Sequence, residues 1–332
     1  MLKKSVSCCL AVVLILSLMT PGIYAIGNYP SQQRIEAIKE DILEVTQISE
    51  EMRCTEVIQN IDSFREKLQT SFPLMNDYEL GKSILMALGD SEDFIATLPR
   101  EKVIEALDYT SAVCTETFIQ ELPSGEMIEV SQEEFYAPKQ AANASIPEYE
   151  QTFGKAILRS TAYEYTPSYK LPGRNYYGIR GALEWVEAPL FQFGDSLVVA
   201  STGNIDNNYK HNAYGEWLSD FLDPIYDTAF MQGGNIGNGK HITMATTSLF
   251  GLGIYFPVSL YPNERHVRTL KYIYAYYGVS SQQDITCRVS YAHGKIAWTP
   301  SFSVDSSGTI SFGGIDLQRE VFNGTGFTIY HH

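Results

Sequence analysis

Between Ile35 and Leu68 apolar residues return every three or four positions. Ile35, Ile38, Ile42, Val45, Ile48 and Met52, then Val57, Ile61, Phe64 and Leu68, are separated by mostly polar residues, Glu and Lys among them. That period lays one apolar stripe along a helix, so the spacing predicts helix over residues 31–70 with a break near Arg53–Thr55. A second helix fits Asp77–Leu88 and stops at Gly89, a residue suited to a helix C-terminus. Shorter helices are predicted at Ser91–Thr97 and at Pro99–Asp108, the latter with proline in its first turn.

The period then changes to two. Val113–Glu121 is β-branched and aromatic, Pro123-Ser124-Gly125 has turn chemistry, and Met127–Val130 alternates again, which reads as a β-hairpin. Ser131 and Glu134 stand at capping-box spacing and announce a short helix. Residues 138–152 hold two prolines and an Ala/Asn/Ser stretch and read as a linker. From Phe153 onward Tyr, Thr, Val, Ile and Phe dominate. Candidate strands are 156–165, 176–186, 196–202, 241–256, 268–277, 284–292, 295–304, 308–313 and 325–330, with tight turns at His293-Gly294 and Ser307-Gly308. One helix is expected among them, at Tyr214–Leu222, where Trp217, Leu218, Phe221 and Leu222 gather ahead of Pro224. The expected class is α+β. A helical segment with a small hairpin (26–137) precedes an antiparallel β-sandwich domain (153–332). No internal repeat is visible.

Charge sharpens that division. The net charge is −15 over 332 residues, but residues 26–150 carry 25 acidic and 9 basic side chains while 151–332 are nearly balanced. Two such different surfaces suggest two structural units. The acidic balance also argues against nucleic acid, whose phosphates need a basic face. At the start, Lys3 and Lys4, the apolar run Val6–Met19 and the breaker Pro21-Gly22 before Ala25 have the layout of a secretory signal peptide cleaved after Ala25. The run is too short to span a bilayer comfortably, which favours the cleaved signal over the alternative, an uncleaved anchor. The expected location is therefore extracellular, released or held at the cell surface.

Cys8 and Cys9 fall within this signal. Cys54, Cys114 and Cys287 remain, an odd number that excludes complete internal pairing and leaves three possible bridges open. The segments Leu88-Gly89…Phe94-Ile95…Leu98-Pro99, Trp185…Pro189…Asp195 and Ser301-Phe302-Ser303-Val304 resemble uncharacterised secreted proteins of Gram-positive bacteria. That resemblance implies a helical N-terminal part joined to a β-rich C-terminal part, and it implies no activity.

Catalytic motifs fail on required residues. Gly234–His241 matches the phosphate-loop spacing G-x-x-x-x-G-K, but His241 stands where Ser or Thr must hold magnesium, and Ile242-Thr243-Met244 reads as strand rather than helix. No G-x-S-x-G elbow occurs. Cys287 alternates with Ile285 and Val289 and so faces a core, where a thiol is inert. The histidines lack metal-ligand spacing, and Asp206-Asn207-Asn208 lacks the glycine and distal Glu of a calcium loop. No metal or cofactor is expected. Asp220, Asp223 and Asp227 are the candidates for paired carboxylates in a glycosidase-like hydrolase, since spacings of three and four share a helical face, although Pro224 interrupts that register.

Aromatic residues carry the leading expectation. Tyr272, Tyr274 and Tyr276 share one face of a strand, and Trp185 sits on another strand between Glu184 and Glu187. Tyrosine offers contact area and a polar handle, so these four are the candidate ligand-binding residues; burial in a tyrosine-rich core is the alternative. Residues 242–258 alternate Thr and Ser with apolar residues, a pattern shared by buried strand pairs and by membrane-inserting hairpins. The expected function is non-enzymatic binding to a cell-wall glycan or a surface protein. A carboxylate hydrolase and a membrane-active hairpin protein stand behind it.

Overall fold

The computed structural model describes residues 32–50, 53–122, 124–137, 153–187, 189, 195–206, 208–209, 211–219, 225–232, 235–237, 243–248, 251–256, 267–294, 301–307, 309–313, 319–323 and 327–329. Helix α1 (Gln32–Ile42) leads into strands β1 (Glu44–Glu50) and β2 (Arg53–Gln59), then helices α2 (Ile61–Ser71), α3 (Asp77–Ala87), α4 (Glu92–Thr97) and α5 (Arg100–Glu105). Strands β3 (Tyr109–Glu121) and β4 (Met127–Val130) precede the short helix α6 (Gln132–Tyr136). Strands follow: β5 (Phe153–Tyr165), β6 (Asn175–Glu187), β7 (Asp195–Ser201), β8 (Asn204–Ile205), β9 (His211–Ser219), β10 (Ile225–Gln232) and β11 (Asn235–Gly237). The chain continues with β12 (Thr243–Ser248), β13 (Gly251–Phe256), β14 (Val267–Ser281), β15 (Ile285–Gly294), β16 (Ser301–Val304), β17 (Ile310–Gly313), β18 (Arg319–Asn323) and β19 (Phe327–Ile329).

The fold is mixed and strand-rich, and every strand pairing among the described residues is antiparallel. The larger sheet runs β1-β2-β3-β5-β6-β14-β9-β10-β11, with β4 beside β3 and β8 beside β14. A second sheet runs β12-β13-β7-β15-β18, with β19 also on β15, and β16 and β17 form a separate pair. Local chemistry explains the helix ends. Asn76 and Ser91 accept hydrogen bonds from the backbone amides of Glu79 and Phe94. Ser131 and Glu134 complete the expected capping box. Gly89 takes φ +93° just past α3, a backbone that side-chain-bearing residues avoid.

Two stretches expected to be helical are strand instead. The helix expected over 31–70 holds in α1 and again in α2, but between them β1 and β2 form a hairpin from Glu44↔Gln59 to Glu50↔Arg53. This hairpin continues the sheet because β2 also pairs β3 from Arg53↔Thr117 to Ile58↔Ala112. The β-branched residues of β2, Thr55, Val57 and Ile58, suit that neighbour, and pairing overrides a helical spacing of apolar positions. Residues 211–219 are strand β9, not part of a helix, and they lie between β14 and β10 in the sheet. A strand flanked on both sides satisfies its backbone through its neighbours, so side-chain spacing no longer decides its form.

The larger sheet also crosses the expected boundary. Residues 138–152 lie outside the described residues, but β3 and β5 on either side of them pair from Tyr109↔Tyr165 to Glu121↔Phe153. The acidic and the neutral segment therefore share one sheet. One face of that sheet packs under the helices: Tyr163, Tyr274 and Tyr276 join Phe64, Ile84, Phe94 and Val103 in one core. The opposite face meets the second sheet in another core, where Leu158, Ile179, Leu183, Ile273 and Tyr277 contact Leu197, Val199, Val289 and Tyr291. At Gly181 the approach leaves no room for a side chain, since a Cβ there would come within 2.6 Å of Val199 and 2.9 Å of Val289.

Candidate functional site

The helix-covered face of the larger sheet carries its polar side chains in rows that cross the strands. One row runs Glu116↔Arg159↔Ala182↔Tyr274↔Tyr214, and the next runs Ile157↔Glu184↔Tyr272↔Glu216. Strand alternation puts all of these on one side, and the helices decide which become buried.

Under the helices the rows are closed. Arg180 reaches Asp90, just past α3, through Nη1 at 2.8 Å and Nη2 at 2.5 Å, and both are buried. Its guanidinium also lies 4.8 Å from the Phe94 ring centroid and 5.3 Å from that of Tyr163. Tyr274 stacks on Tyr214 at 5.2 Å and on Tyr276 at 6.0 Å, and its hydroxyl donates to the Thr97 carbonyl at 3.1 Å. Lys102 sits over the rings of Tyr209 and Tyr276 and pairs with Glu105 at 2.7 Å.

This arrangement places the candidate binding tyrosines. Tyr272, Tyr274 and Tyr276 are at most 4% exposed, and all three belong to the helix–sheet core. Their common face is the seat of α4 and α5 rather than a free aromatic surface. Trp185 is buried on the other side, against Tyr291 and His293. There the Tyr291 hydroxyl donates to Asp195 Oδ1 at 2.6 Å, and His293 Nδ1 is 2.7 Å from the same oxygen. These residues form a closed polar knot between the two sheets.

The rows open at two places. Beyond α4 an open groove of about 450 Å³ is lined by Asp93, Thr97, Tyr214, Glu216, Lys271 and Tyr272. Tyr272 thus turns one edge to a groove while its ring packs beside Phe94 at 6.4 Å. Tyr214 donates to Glu216 Oε2 at 3.3 Å, and Lys271 Nζ stands 3.9 Å from Glu216 Oε1 and 4.7 Å from the Tyr272 ring centre. Burial raises the Tyr272 hydroxyl above the usual tyrosine range, and the charge and hydrogen bond of Glu184 raise it further.

The second opening, about 340 Å³, lies between α6 and the end of α3, with Gln47, Glu56, Glu116, Gln132, Tyr136 and Arg159 on its walls. Arg159 Nε donates to Glu116 Oε1 at 2.6 Å and Nη1 to Glu184 Oε2 at 3.2 Å. Burial works against the Arg159 charge, but Glu116 and then Glu184 outweigh it and hold the guanidinium protonated. Cys114 borders this opening with its thiol pushed up to about 12 by burial and by Glu116, so it offers no thiolate at neutral pH.

Of the candidate carboxylates, Asp220 and Asp223 lie outside the described residues, and Asp227 stands in β10 opposite Gly215. The phosphate-loop-like segment lies mostly outside them too; its residues 235–237 form β11. Among the described residues no group of three or more His, Cys, Asp or Glu could hold a metal, and no helix is long and apolar enough to cross a membrane. Cys287 is fully buried, as its alternation implied. Glu216 was missed because residues 214–222 read as helix, and Lys271, in a strand that was expected, was missed because its place beside Glu216 depends on the pairing of β14 with β9. Arg180 was legible in principle, as the single charge in the run Gly178-Ile179-Arg180-Gly181-Ala182-Leu183.

No protein-family model matches the chain, and neither does any curated protein sequence. Among solved structures, a "Pore forming protein" is similar over 66% of this chain and 92% of its own, with 8% identity and a TM-score of 0.24. The Clostridium perfringens NetB toxin in its membrane-inserted form is similar over 53% of this chain and 91% of its own, with 9% identity and a TM-score of 0.23. A structure of Gaeumannomyces graminis manganese lipoxygenase with part of Komagataella pastoris zonadhesin gives 66% and 89%, 8% identity and a TM-score of 0.21. Overlap this loose establishes neither a shared fold nor a shared activity.

Proposed function

We propose that the chain is an exported, non-enzymatic binding protein that takes a glycan in the groove beside Tyr272. The observation that carries this reading is the groove's lining: an aromatic edge, the acceptors Asp93 and Glu216, and the donors Lys271 and Tyr214 around an open volume of ligand size. Sugars present hydroxyls that both donate and accept, together with an apolar ring face, and this mixture suits them better than a bare anion or cation. The N-terminal signal layout supports export. The shared core of the two sheets supports an antiparallel β-sandwich beneath the groove.

The test is a glycan array followed by calorimetry on the hits. Glu216→Gln and Lys271→Ala are expected to weaken binding about tenfold each, the effect of losing one charged hydrogen-bond partner. A blank array, or variants that bind like the parent, contradicts the reading. Asp93 and Glu216 share this groove, so release of a labelled sugar from a bound glycan would move the function to hydrolysis.

One observation favours a second reading as membrane-active. Strands β12 (Thr243–Ser248) and β13 (Gly251–Phe256) pair as antiparallel neighbours, and among the described residues β12 stands at one end of its sheet. Dye release from anionic liposomes at micromolar protein would support that reading, and intact liposomes would remove it.

A further inference from the structure

The groove beside Tyr272 and the opening at Arg159 lie on the same face of one sheet, and the residues between them are polar and in contact. Tyr272 stands directly across from Glu184 on the neighbouring strand, and the Glu184 charge raises its hydroxyl. Glu184 holds Arg159 at 3.2 Å, and Arg159 holds Glu116 at 2.6 Å. None of these three charged side chains is sealed in: Arg159 is 16% exposed, Glu184 22% and Glu116 26%. Tyr136, which is 59% exposed, stands over the same stretch, where its hydroxyl feels the charges of Glu116, Arg159 and Glu184.

We propose that these openings are the two ends of one groove that holds an elongated oligosaccharide across the strands. The inference rests on the glycan-binding reading and deepens it from a single sugar site to a chain site. The path crosses β2, β3, β5, β6, β14 and β9, which at strand spacing is about 24 Å, several sugar units rather than one. Along that path carboxylates alternate with Arg159 and Lys271, the exposed Tyr136 ring stands near one end, and an edge of the buried Tyr272 borders the other. Fixed donor–acceptor pairs of this kind match a repeating, hydroxyl-rich polymer; a polyanion or polycation would meet like charges along the way. The residues under the path are strand residues held by cross-strand pairs, so the surface is formed before a ligand arrives.

The experiment is calorimetry on the protein with β-1,4-linked N-acetylglucosamine oligomers of two and of six residues. The hexamer is expected to bind one to one and at least tenfold tighter than the dimer. Tyr136→Ala and Gln132→Ala, both at the Arg159 end, are expected to weaken the hexamer several-fold and leave the dimer unchanged. Lys271→Ala is expected to weaken both. Equal affinity for the two lengths, two dimers bound per protein, or Tyr136→Ala and Gln132→Ala without effect on the hexamer overturns the continuous groove while leaving the single site standing. Absence of binding at both lengths overturns it together with the binding reading beneath it.

Discussion

Arg180 and Asp90, 90 residues apart in sequence, meet as a bidentate buried ion pair that ties the end of α3 to the middle of the larger sheet. Taking two charges out of water costs several kcal/mol, and the pair repays it only while both partners are present. Asp90→Ala is therefore expected to cost about 3–5 kcal/mol, because it strands a buried guanidinium. The double variant Asp90→Leu/Arg180→Met is expected to recover most of that loss. Urea unfolding of the single and double variants checks it; a single variant within about 1 kcal/mol of the parent contradicts a closed site.

The tyrosine ladder gives a second expectation. Tyr274 is fully buried and donates one hydrogen bond to Thr97. Tyr274→Phe is expected to cost about 1 kcal/mol for the lost bond, and Tyr274→Ala about 3–5 kcal/mol for the cavity beneath α4. An exposed binding tyrosine would give the reverse pattern, little loss of stability and a large loss of ligand. The two variants measured for both properties separate packing from recognition.

Gly181 tests the contact between the sheets. Its absent Cβ leaves the space that Val199 and Val289 occupy from the second sheet. Gly181→Ala is expected to destabilise by about 1–3 kcal/mol through overpacking. A smaller residue at the partner position, Val289→Ala, is expected to relieve part of that strain in the double variant. Thermal melting of the three proteins reads the coupling; strict additivity contradicts direct packing of the two sheets at this point.

Alkaline pH is expected to unfold the protein. Burial raises the hydroxyls of Tyr109, Tyr163, Tyr209 and Tyr276 well above the ordinary 10.0, and it raises the Cys114 thiol from 9.0 to about 12. The unfolded chain loses these protons first as pH rises. The stability they contribute is fully present below about pH 9, and it is lost as pH climbs through the folded values. Tyrosinate absorbance followed with circular dichroism is expected to show ionisation and loss of structure together above pH 10. Smooth tyrosine titration with the fold intact contradicts their burial.

Periodicity made much of this architecture legible. The helices at 77–87 and 92–97, the hairpin at 109–130 with its capping box, and most strands after 153 lie close to where side-chain pattern places them. What it could not show is pairing between distant segments. Val45 and Val57 fall in one helical stripe, yet Val45 pairs Ile58 across the β1–β2 hairpin and Val57 pairs Val113 of β3. Trp217 and Leu218 gather as on a helix, but β9 is clasped by β14 and β10. The candidate site suffered from the same blindness. Tyr272, Tyr274 and Tyr276 were visible as a face, but whether helices covered that face depended on α4 and α5, some 170 residues earlier in the chain. Glu216 meets Lys271 only through the pairing of β9 with β14, and Arg159 meets Glu184 only through that of β5 with β6.

The most direct measurement is a crystal structure of the protein grown with the β-1,4-linked N-acetylglucosamine hexamer. Sugar density is expected along the groove, with hydroxyls on Glu216 and Lys271 at one end and density beneath Tyr136 at the other. Ligand density on any other face, or a protein that binds the hexamer in solution with this groove free of sugar, contradicts the assignment.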